Sequence, residues 1–143
     1  MKKIQQQPIG IFDSGVGGLS IADGIRQLLP AEDMLYIADQ EFAPYGNKSK
    51  QHIDERCSQL TRHLYHQGCK AVVVACNTAT VNSIAQLREQ FAIPIIGVEP
   101  GIKPAAKNSV TCVVGVLATQ QTLNSESFKA LLNRVAGSVQ VIL

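Results

Sequence analysis

The sequence predicts an α/β fold in which a parallel sheet is covered by helices on both faces. Short apolar runs rich in Val and Ile alternate along the chain with longer segments in which apolar residues recur at helical spacing. No short-period repeat and no low-complexity linker interrupts this alternation. Strands that are separated by helices pair in parallel through right-handed crossovers. The pattern therefore favours an open parallel sheet over a bundle or a sandwich.

The composition indicates a globular protein of ordinary size. The chain has 143 residues, 45% hydrophobic and 17% charged, which suffices for one domain with a core but not for two complete domains. The 13 Lys and Arg residues nearly balance the 11 Asp and Glu residues, so we expect no nucleic-acid partner. No apolar stretch follows the first lysines, so we expect neither a signal peptide nor a membrane anchor, and a cytoplasmic location.

The first predicted unit is a strand, a glycine-rich turn and a helix. An apolar run over 8–12 precedes Asp13, Ser14 and the turn 15–18, and apolar residues then recur at helical spacing up to a proline. The glycines suggest a dinucleotide site, but Ser20 stands where G-x-G-x-x-G requires its third glycine. Two interpretations remain: the turn approaches a small ligand closely, or Asp13 and Ser14 merely cap the helix.

The second predicted unit contains a strand over 34–38 and a long helix that begins after its N-cap Ser49 and ends at Gly68. The helix carries Cys57 on its apolar stripe, which assigns this thiol to the core. Its histidines are expected on the solvated face, and the cysteines show no zinc spacing, so we expect free thiols and no metal site. The loop before the helix contains Pro44, Tyr45 and Gly46.

The third predicted strand ends at a cysteine. The β-branched run over 72–74 is typical of a buried parallel strand, and Cys76 follows it, with Asn77 and Thr78 opening the next helix. The unpaired N–H groups and positive dipole end of a helix favour a thiolate, which would make Cys76 a nucleophile or a base. Free cysteine is also a common small core residue. The stretch alone leaves both interpretations open.

Further strands are predicted over 95–98, 111–117 and 139–143, with helices up to 107 and over 125–135 between them; Cys112 falls within the second of these strands. Ligands of open parallel sheets bind beyond the carboxyl ends of the strands. Polar residues follow each of the first five strands at that edge, namely Asp13 and Ser14, Pro44 to Gly46, Cys76 to Thr78, Glu99, and Thr119 with Thr122. This coincidence favours a ligand site there, with Cys76 as a reactive thiol.

The same motifs resemble the glutamate racemase family of the aspartate/glutamate racemase superfamily. The matching segments, in the order in which the family has them, are Ile-Phe-Asp-Ser-Gly-Val-Gly-Gly at 11–18, Pro-Tyr-Gly at 44–46, Cys-Asn-Thr-Ala-Thr at 76–80, Gly-Val-Glu-Pro at 97–100, and Ala118-Thr119 with Thr122. They span nearly the whole chain. The Asp-Ser-Gly and Cys-Asn-Thr-Ala motifs are specific in combination.

The resemblance implies that glutamate is the partner, interconverted between its L and D forms to supply D-glutamate for peptidoglycan without PLP, flavin or metal. It makes Cys76 the first of two catalytic cysteines and Asp13 the carboxylate that assists it. Inversion of an α-carbon needs a base on one face and an acid on the other. Residues that match the family's substrate-binding positions are Ser14, Pro44, Tyr45, Gly46, Asn77, Thr78, Thr119 and Thr122.

The sequence also departs from the family pattern. The family's second cysteine lies in a Gly-Cys-Thr-His segment that these 143 residues do not contain. The resemblance implies a first α/β domain over 1–98 and the opening half of a second over 99–143, with an uncovered sheet edge that predicts marginal stability, a homodimer or aggregation. Alternatives are a racemase or isomerase for aspartate or another small acid, an inactive ligand-binding fragment, and, least favoured, a phosphate or nucleotide binder.

Overall fold

The structure, a computed structural model, describes residues 6–135 and 137–143. In these ranges strands and helices alternate as predicted, except that two helices follow one another before the last strand. The strands are β1 (Ile9–Asp13), β2 (Met34–Ala38), β3 (Ala71–Val74), β4 (Ile95–Gly97), β5 (Val113–Gly115) and β6 (Gln140–Ile142). The helices are α1 (Leu19–Leu28), α2 (Lys50–His66), α3 (Asn77–Gln90), α4 (Ile102–Asn108), α5 (Gln120–Asn124) and α6 (Glu126–Asn133). The predicted α/β class with parallel strands is confirmed.

The strands form two parallel sheets, one of four strands in the order β2-β1-β3-β4 and one of two strands, β5-β6. In the first sheet, Ile11 of β1 lies opposite Tyr36 on one side and Val73 on the other. Parallel pairing places the carboxyl ends of β1 and β3 side by side, so Asp13 and the residues after Val74 share one edge. The predicted division of the chain after residue 98 falls between the two sheets and stays a prediction.

Both faces of the first sheet are covered by helices. On one face, Phe12, Val72 and Val74 pack against the apolar side of α2, which includes Ile53, Cys57 and Leu64. On the other face, the cluster of Ile9, Ile11, Val73 and Ala75 is covered by Ile21, Ala22 and Ile25 of α1. The assignment of Cys57 to the core is confirmed, since its side chain is fully buried and burial raises the pKa of its thiol to about 12.

Two local expectations were wrong, one for Cys112 and one for His52. Cys112 is exposed and lies before β5 rather than within a strand. Its φ of 57° is left-handed, so the extended backbone of the strand begins only after it. The helix expected over 125–135 is confirmed as α6, whose N-cap residue Ser125 accepts from the Phe128 N–H; the short helix α5, which precedes it, was not expected. His52 is half-buried beside Phe42 rather than solvated.

No helix in the described ranges combines the length and the apolar character that a membrane crossing requires.

Helix α3 lies in close contact with the end of β4. A Cβ atom on Gly97 would approach Cγ2 of Thr80 to 2.6 Å, so only glycine fits this position without movement. The Thr80 hydroxyl donates to the Val74 carbonyl oxygen at 3.1 Å and accepts from the Val98 N–H at 3.2 Å. Through these two hydrogen bonds, the buried Thr80 side chain links the first turn of α3 to the ends of both β3 and β4.

We expect Gly97→Ala to destabilise the chain by about 1 to 3 kcal/mol, because the added methyl overlaps the branched, buried Thr80 side chain. The measurement is urea denaturation followed by far-UV circular dichroism. Gly24→Ala is the matched control: Gly24 lies in α1 with open space around its Cβ position, and alanine should leave stability equal or raise it by up to about 1 kcal/mol. Equal losses in both variants would contradict the packing argument.

Candidate active site

A cavity of about 640 Å³ lies beyond the carboxyl ends of β1, β3 and β5. This volume falls within the usual range for small-molecule sites. The first sheet contributes the ends of β1 and β3, and the second contributes β5 and the segment after it, so the two sheets face each other across the cavity. The predicted site residues that line it are Asp13, Cys76, Asn77, Thr78, Thr119 and Thr122.

Cys76 is the N-cap residue of α3 and is 7% exposed. Its Sγ accepts a bond from the Ala79 N–H at 3.5 Å, and the Ser14 hydroxyl lies 3.5 Å from the same sulfur. The carbonyl of Cys76 accepts from the Thr80 N–H, so the helix begins directly at this residue. A thiol in this position faces the positive end of the helix dipole and polar groups that stabilise a charged sulfur.

Asp13 is the last residue of β1, and its carboxylate closes the glycine-rich turn. Oδ1 accepts from the Ser14 N–H and Oδ2 from the Gly18 N–H, both at 2.8 Å. Helix α1 has Gly18 as its N-cap residue and no side-chain cap. The interpretation of Asp13 and Ser14 as helix caps is therefore wrong: Asp13 holds the turn, and Ser14 contacts Cys76.

Three threonine hydroxyls form a closed triangle at the far wall of the cavity. Thr78 of α3 lies 3.0 Å from Thr119 and 3.1 Å from Thr122, and these two lie 3.0 Å from each other. Thr119 also caps α5 by accepting from the Thr122 N–H. Because Thr78 follows the first sheet and the other two follow the second, this hydroxyl triangle joins the two sheets with groups that both donate and accept.

The loop residues Pro44, Tyr45 and Gly46 do not line the cavity. The Tyr45 ring is 1% exposed, and its hydroxyl donates to Oδ2 of Asp39 at 2.6 Å. Gly46 abuts Thr119 so closely that a Cβ atom would lie 2.6 Å from the threonine Cγ2. Glu99 is exposed and pairs with Lys103 instead of facing the cavity. The loop therefore supports the hydroxyl triangle from behind.

Sequence reasoning missed Asp39, a 4% exposed carboxylate that organises this loop. Arg56 of α2 donates to it twice, from Nε at 2.8 Å and from Nη2 at 2.6 Å. Burial by itself would raise the pKa of Asp39, but hydrogen bonds from Arg56 and Tyr45 and the charge of Arg56 outweigh it and lower the pKa. The Asp39 N–H also bonds the Asp13 carbonyl at 2.9 Å. The sequence feature that could have identified Asp39 is its position directly after the strand predicted over 34–38, at the sheet edge where the other polar residues lie.

Within the ranges that the structure describes, no three His, Cys, Asp or Glu side chains are grouped so as to hold a metal ion.

An open parallel sheet with a thiol, a carboxylate and hydroxyls at its carboxyl edge suits an enzyme of small, charged molecules. The sequence model of the Asp/Glu/hydantoin racemase family matches residues 9–142. The chain therefore belongs to this racemase family, a family of isomerases.

Curated relatives that are about half identical to the chain are glutamate racemases. The chain is 56% identical over 138 residues to the glutamate racemase of Ectopseudomonas mendocina. The matched region covers 96% of this chain and 52% of the relative. It is 53% identical over 137 residues to the glutamate racemase of Ralstonia pickettii, and this match covers 96% of this chain and 49% of the relative. The chain thus spans about half the length of the relatives that it matches.

Solved structures of glutamate racemases share the fold. The Escherichia coli enzyme, solved with L-glutamate and the activator UDP-MurNAc-Ala, matches with a TM-score of 0.87 and 42% identity over 94% of this chain and 52% of its own. The Aquifex pyrophilus enzyme matches with a TM-score of 0.84 and 36% identity over 95% and 54%. The family resemblance seen in the motifs is confirmed.

We expect Asp39→Asn to cost about 3 kcal/mol of stability at neutral pH, because it removes one partner of a buried ion pair. A carboxylate whose folded pKa is lowered stabilises the fold above the ordinary value of about 3.9 and loses this contribution as the pH falls through the lowered pKa. The difference from the wild type should therefore shrink below about pH 4. Urea denaturation at a series of pH values measures it.

The control for this prediction is Asp23→Asn, at an exposed carboxylate of α1 that accepts a single bond from Gln27. It should change stability little at any pH. A loss for Asp39→Asn that stayed constant down to about pH 2 would show that the carboxylate charge is not the source of the stabilisation.

Proposed function

We propose that this chain carries the first acid/base group and much of the substrate pocket of a glutamate racemase. Cys76 is the group that exchanges a proton with the α-carbon of glutamate. Support comes from the curated names of the relatives, from the solved E. coli structure that contains L-glutamate, and from the motifs around Asp13 and Cys76. Because the chain spans about half of those relatives, the activity of the whole enzyme is part of the proposal.

The observation that carries the proposal is the surroundings of the Cys76 sulfur. The Ala79 N–H and the Ser14 hydroxyl both lie 3.5 Å from Sγ. Cys76 itself lines the cavity, whereas Ser14 does not and contacts the thiol from beside it. As a thiolate, Cys76 removes the α-proton: the C–H bond breaks, an S–H bond forms, and the electron pair moves into the α-carboxylate of glutamate. Polar contacts that stabilise the charged sulfur make it available as a base.

Asp13 assists from the same wall. Each of its oxygens accepts one backbone N–H bond, which leaves acceptor capacity toward the substrate. Its negative charge attracts the ammonium group of an amino acid. Fixed at the end of β1, the carboxylate needs no reorganisation when the proton leaves.

The remaining polar groups suit the two carboxylates of glutamate. The backbone N–H groups at the start of α3, with Asn77 and Ser14, stabilise the charge that develops on the α-carboxylate. A hydroxyl of the triangle of Thr78, Thr119 and Thr122 can turn its O–H from the neighbouring threonine to an anionic oxygen of the substrate. Gly46 lies behind Thr119, and Pro44 and Tyr45 hold Gly46 in place.

Racemisation requires a second acid on the opposite face of the α-carbon. The family resemblance assigns this role to a cysteine in a Gly-Cys-Thr-His segment, which these 143 residues do not contain. Cys112 is exposed and precedes β5, at the end of that strand away from the cavity, so it does not fill the role. We therefore propose a two-cysteine mechanism whose second member lies outside these residues, which works without a cofactor in the cytoplasm and supplies D-glutamate for peptidoglycan.

A second candidate substrate is aspartate or another small acid, which the description of the matching family as Asp/Glu/hydantoin racemases favours. The two substrates differ by one methylene between their carboxylates. A panel of L and D forms of glutamate and aspartate in the exchange experiment below distinguishes them.

The test is incubation of the chain with L- or D-glutamate in deuterated water, followed by NMR. We expect deuterium at the α-carbon of one enantiomer, and a loss of at least about 100-fold in Cys76→Ser, because a positioned acid/base group contributes roughly that much. Cys112→Ser is the control and should exchange at the wild-type rate. Absence of α-deuterium from both enantiomers, or equal rates for Cys76→Ser and the wild type, would refute the proposed role.

We also propose that the isolated chain associates with itself through the second sheet. Among the described residues, β5 and β6 pair only with each other, and Ile142 of β6 is 55% exposed. Unpaired strand edges with apolar side chains favour edge-to-edge contacts.

Ile142→Lys should shift the sedimentation profile of the chain toward monomer, because a charge on the edge opposes strand addition. Leu28→Lys is the matched control, since Leu28 is 82% exposed but lies at the end of α1, next to the first sheet. Analytical ultracentrifugation at several concentrations measures the effect. A wild-type chain that sediments as a monomer at every concentration would rule out the proposed association.

A further inference from the structure

Tyr36 lies on β2, beside the strand that ends in Asp13. It pairs with Ile11 of β1, and its ring packs against the apolar cluster that contains Val73 and Ala75. Its hydroxyl donates to the carbonyl oxygen of Gly15 at 3.1 Å. Tyr36 does not line the cavity, so its side chain reaches the glycine-rich turn from behind.

The turn has no spare room at this point. A Cβ atom on Gly18 would lie 2.9 Å from the Tyr36 hydroxyl, 2.9 Å from Cβ of Asp13 and 2.8 Å from Cβ of Ala75. The backbone of the turn is therefore seated between the tyrosine, the carboxylate residue and the residue that precedes Cys76. Its position depends on all three neighbours.

The same turn carries the hydroxyl that faces the thiol. Ser14 precedes Gly15 directly, its N–H bonds Oδ1 of Asp13, and its hydroxyl lies 3.5 Å from Sγ of Cys76. The Asp13 carboxylate holds the turn at residues 14 and 18. The bond from Tyr36 to Gly15 holds it between these two points.

We propose that Tyr36 is a positioning residue whose hydroxyl holds Gly15 and thereby keeps the Ser14 hydroxyl against the Cys76 thiol. This proposal rests on the proposed function, because the charged state of the sulfur matters only if Cys76 exchanges protons. Tyr36 acts through the turn and does not touch the substrate.

The hydroxyl is suited to this task because it stays protonated. Burial raises the pKa of Tyr36, and the negative charges of Asp13 and Cys76 raise it further. Tyr36 therefore remains a hydrogen-bond donor over the range of pH in which thiols titrate.

The experiment measures the alkylation rate of Cys76 in the free chain with iodoacetamide, between about pH 6 and pH 10, where thiols titrate. Peptide mass spectrometry separates the four cysteines. In Tyr36→Phe, which keeps the ring, we expect half-maximal reactivity of Cys76 at a higher pH and a rate near pH 7 lower by about threefold, the size of one modest hydrogen bond. The rate of the exposed Cys112 should not change.

Two further variants separate positioning from general packing. Ser14→Ala should shift the pH profile of Cys76 in the same direction, and Tyr36→Phe combined with Ser14→Ala should add nothing further, because both act through one hydroxyl. Tyr65→Phe is the matched control, since Tyr65 lies on α2, is 46% exposed and packs against Phe91. The pH profile of Cys76 alkylation in this variant should equal that of the wild type.

The proposal is overturned if the profile of Tyr36→Phe matches that of Tyr65→Phe, or if the effects of Tyr36→Phe and Ser14→Ala add. Faster alkylation of the buried Cys57 and Cys69 in Tyr36→Phe would instead show general loosening, and would also overturn it. Should Tyr36→Phe not fold by circular dichroism, an unshifted profile in Ser14→Ala alone overturns it. The assay contains no glutamate, so a failure of α-proton exchange leaves its outcome interpretable.

Discussion

The parallel pairing of β1 with β3 is the constraint on which the site depends. It runs from Ile9 opposite Ala71 to Phe12 opposite Val74, and the next residues on the two strands lead to Asp13 and Cys76. Both strands are buried on both faces. A shift of one residue would exchange the side chains that face α1 with those that face α2 and α3. Core packing thus places the carboxylate and the thiol at one edge.

The two sheets meet through polar contacts rather than through a shared apolar core. The apolar cluster of the second sheet, which includes Ile102, Val114 and Phe128, is separate from the clusters of the first. The hydroxyl triangle joins α3 to α5, and Gln121 of α5 donates to the Lys48 carbonyl at 2.6 Å. Such polar junctions are directional, so they set the spacing of the cavity walls while contributing little net stability.

Behind the cavity, two partly buried hydrogen-bond networks support the polar groups of its wall. One runs from Arg56 through Asp39 to Tyr45 and so to the loop with Gly46; the other runs from Tyr36 through Gly15 to Ser14. The backbone bond from Asp39 to the Asp13 carbonyl brings the first network to the edge of β1. Preorganisation of this kind lets a few polar groups stabilise developing charge without moving during the reaction.

The sequence by itself determined the α/β class, the order of strands and helices and the residues that follow each strand, because periodicity and turn residues are local properties. It also carried the motifs that identify the racemase family. Only the tertiary structure decided that Tyr45 turns away from the cavity, that Asp39 joins Arg56, and that Asp13 holds a turn rather than a helix end. Each of these depends on which donors and acceptors lie within about 3 Å of one another across the fold. Spacing along the chain does not contain that information, because buried polar groups take partners from strands and helices far away in sequence.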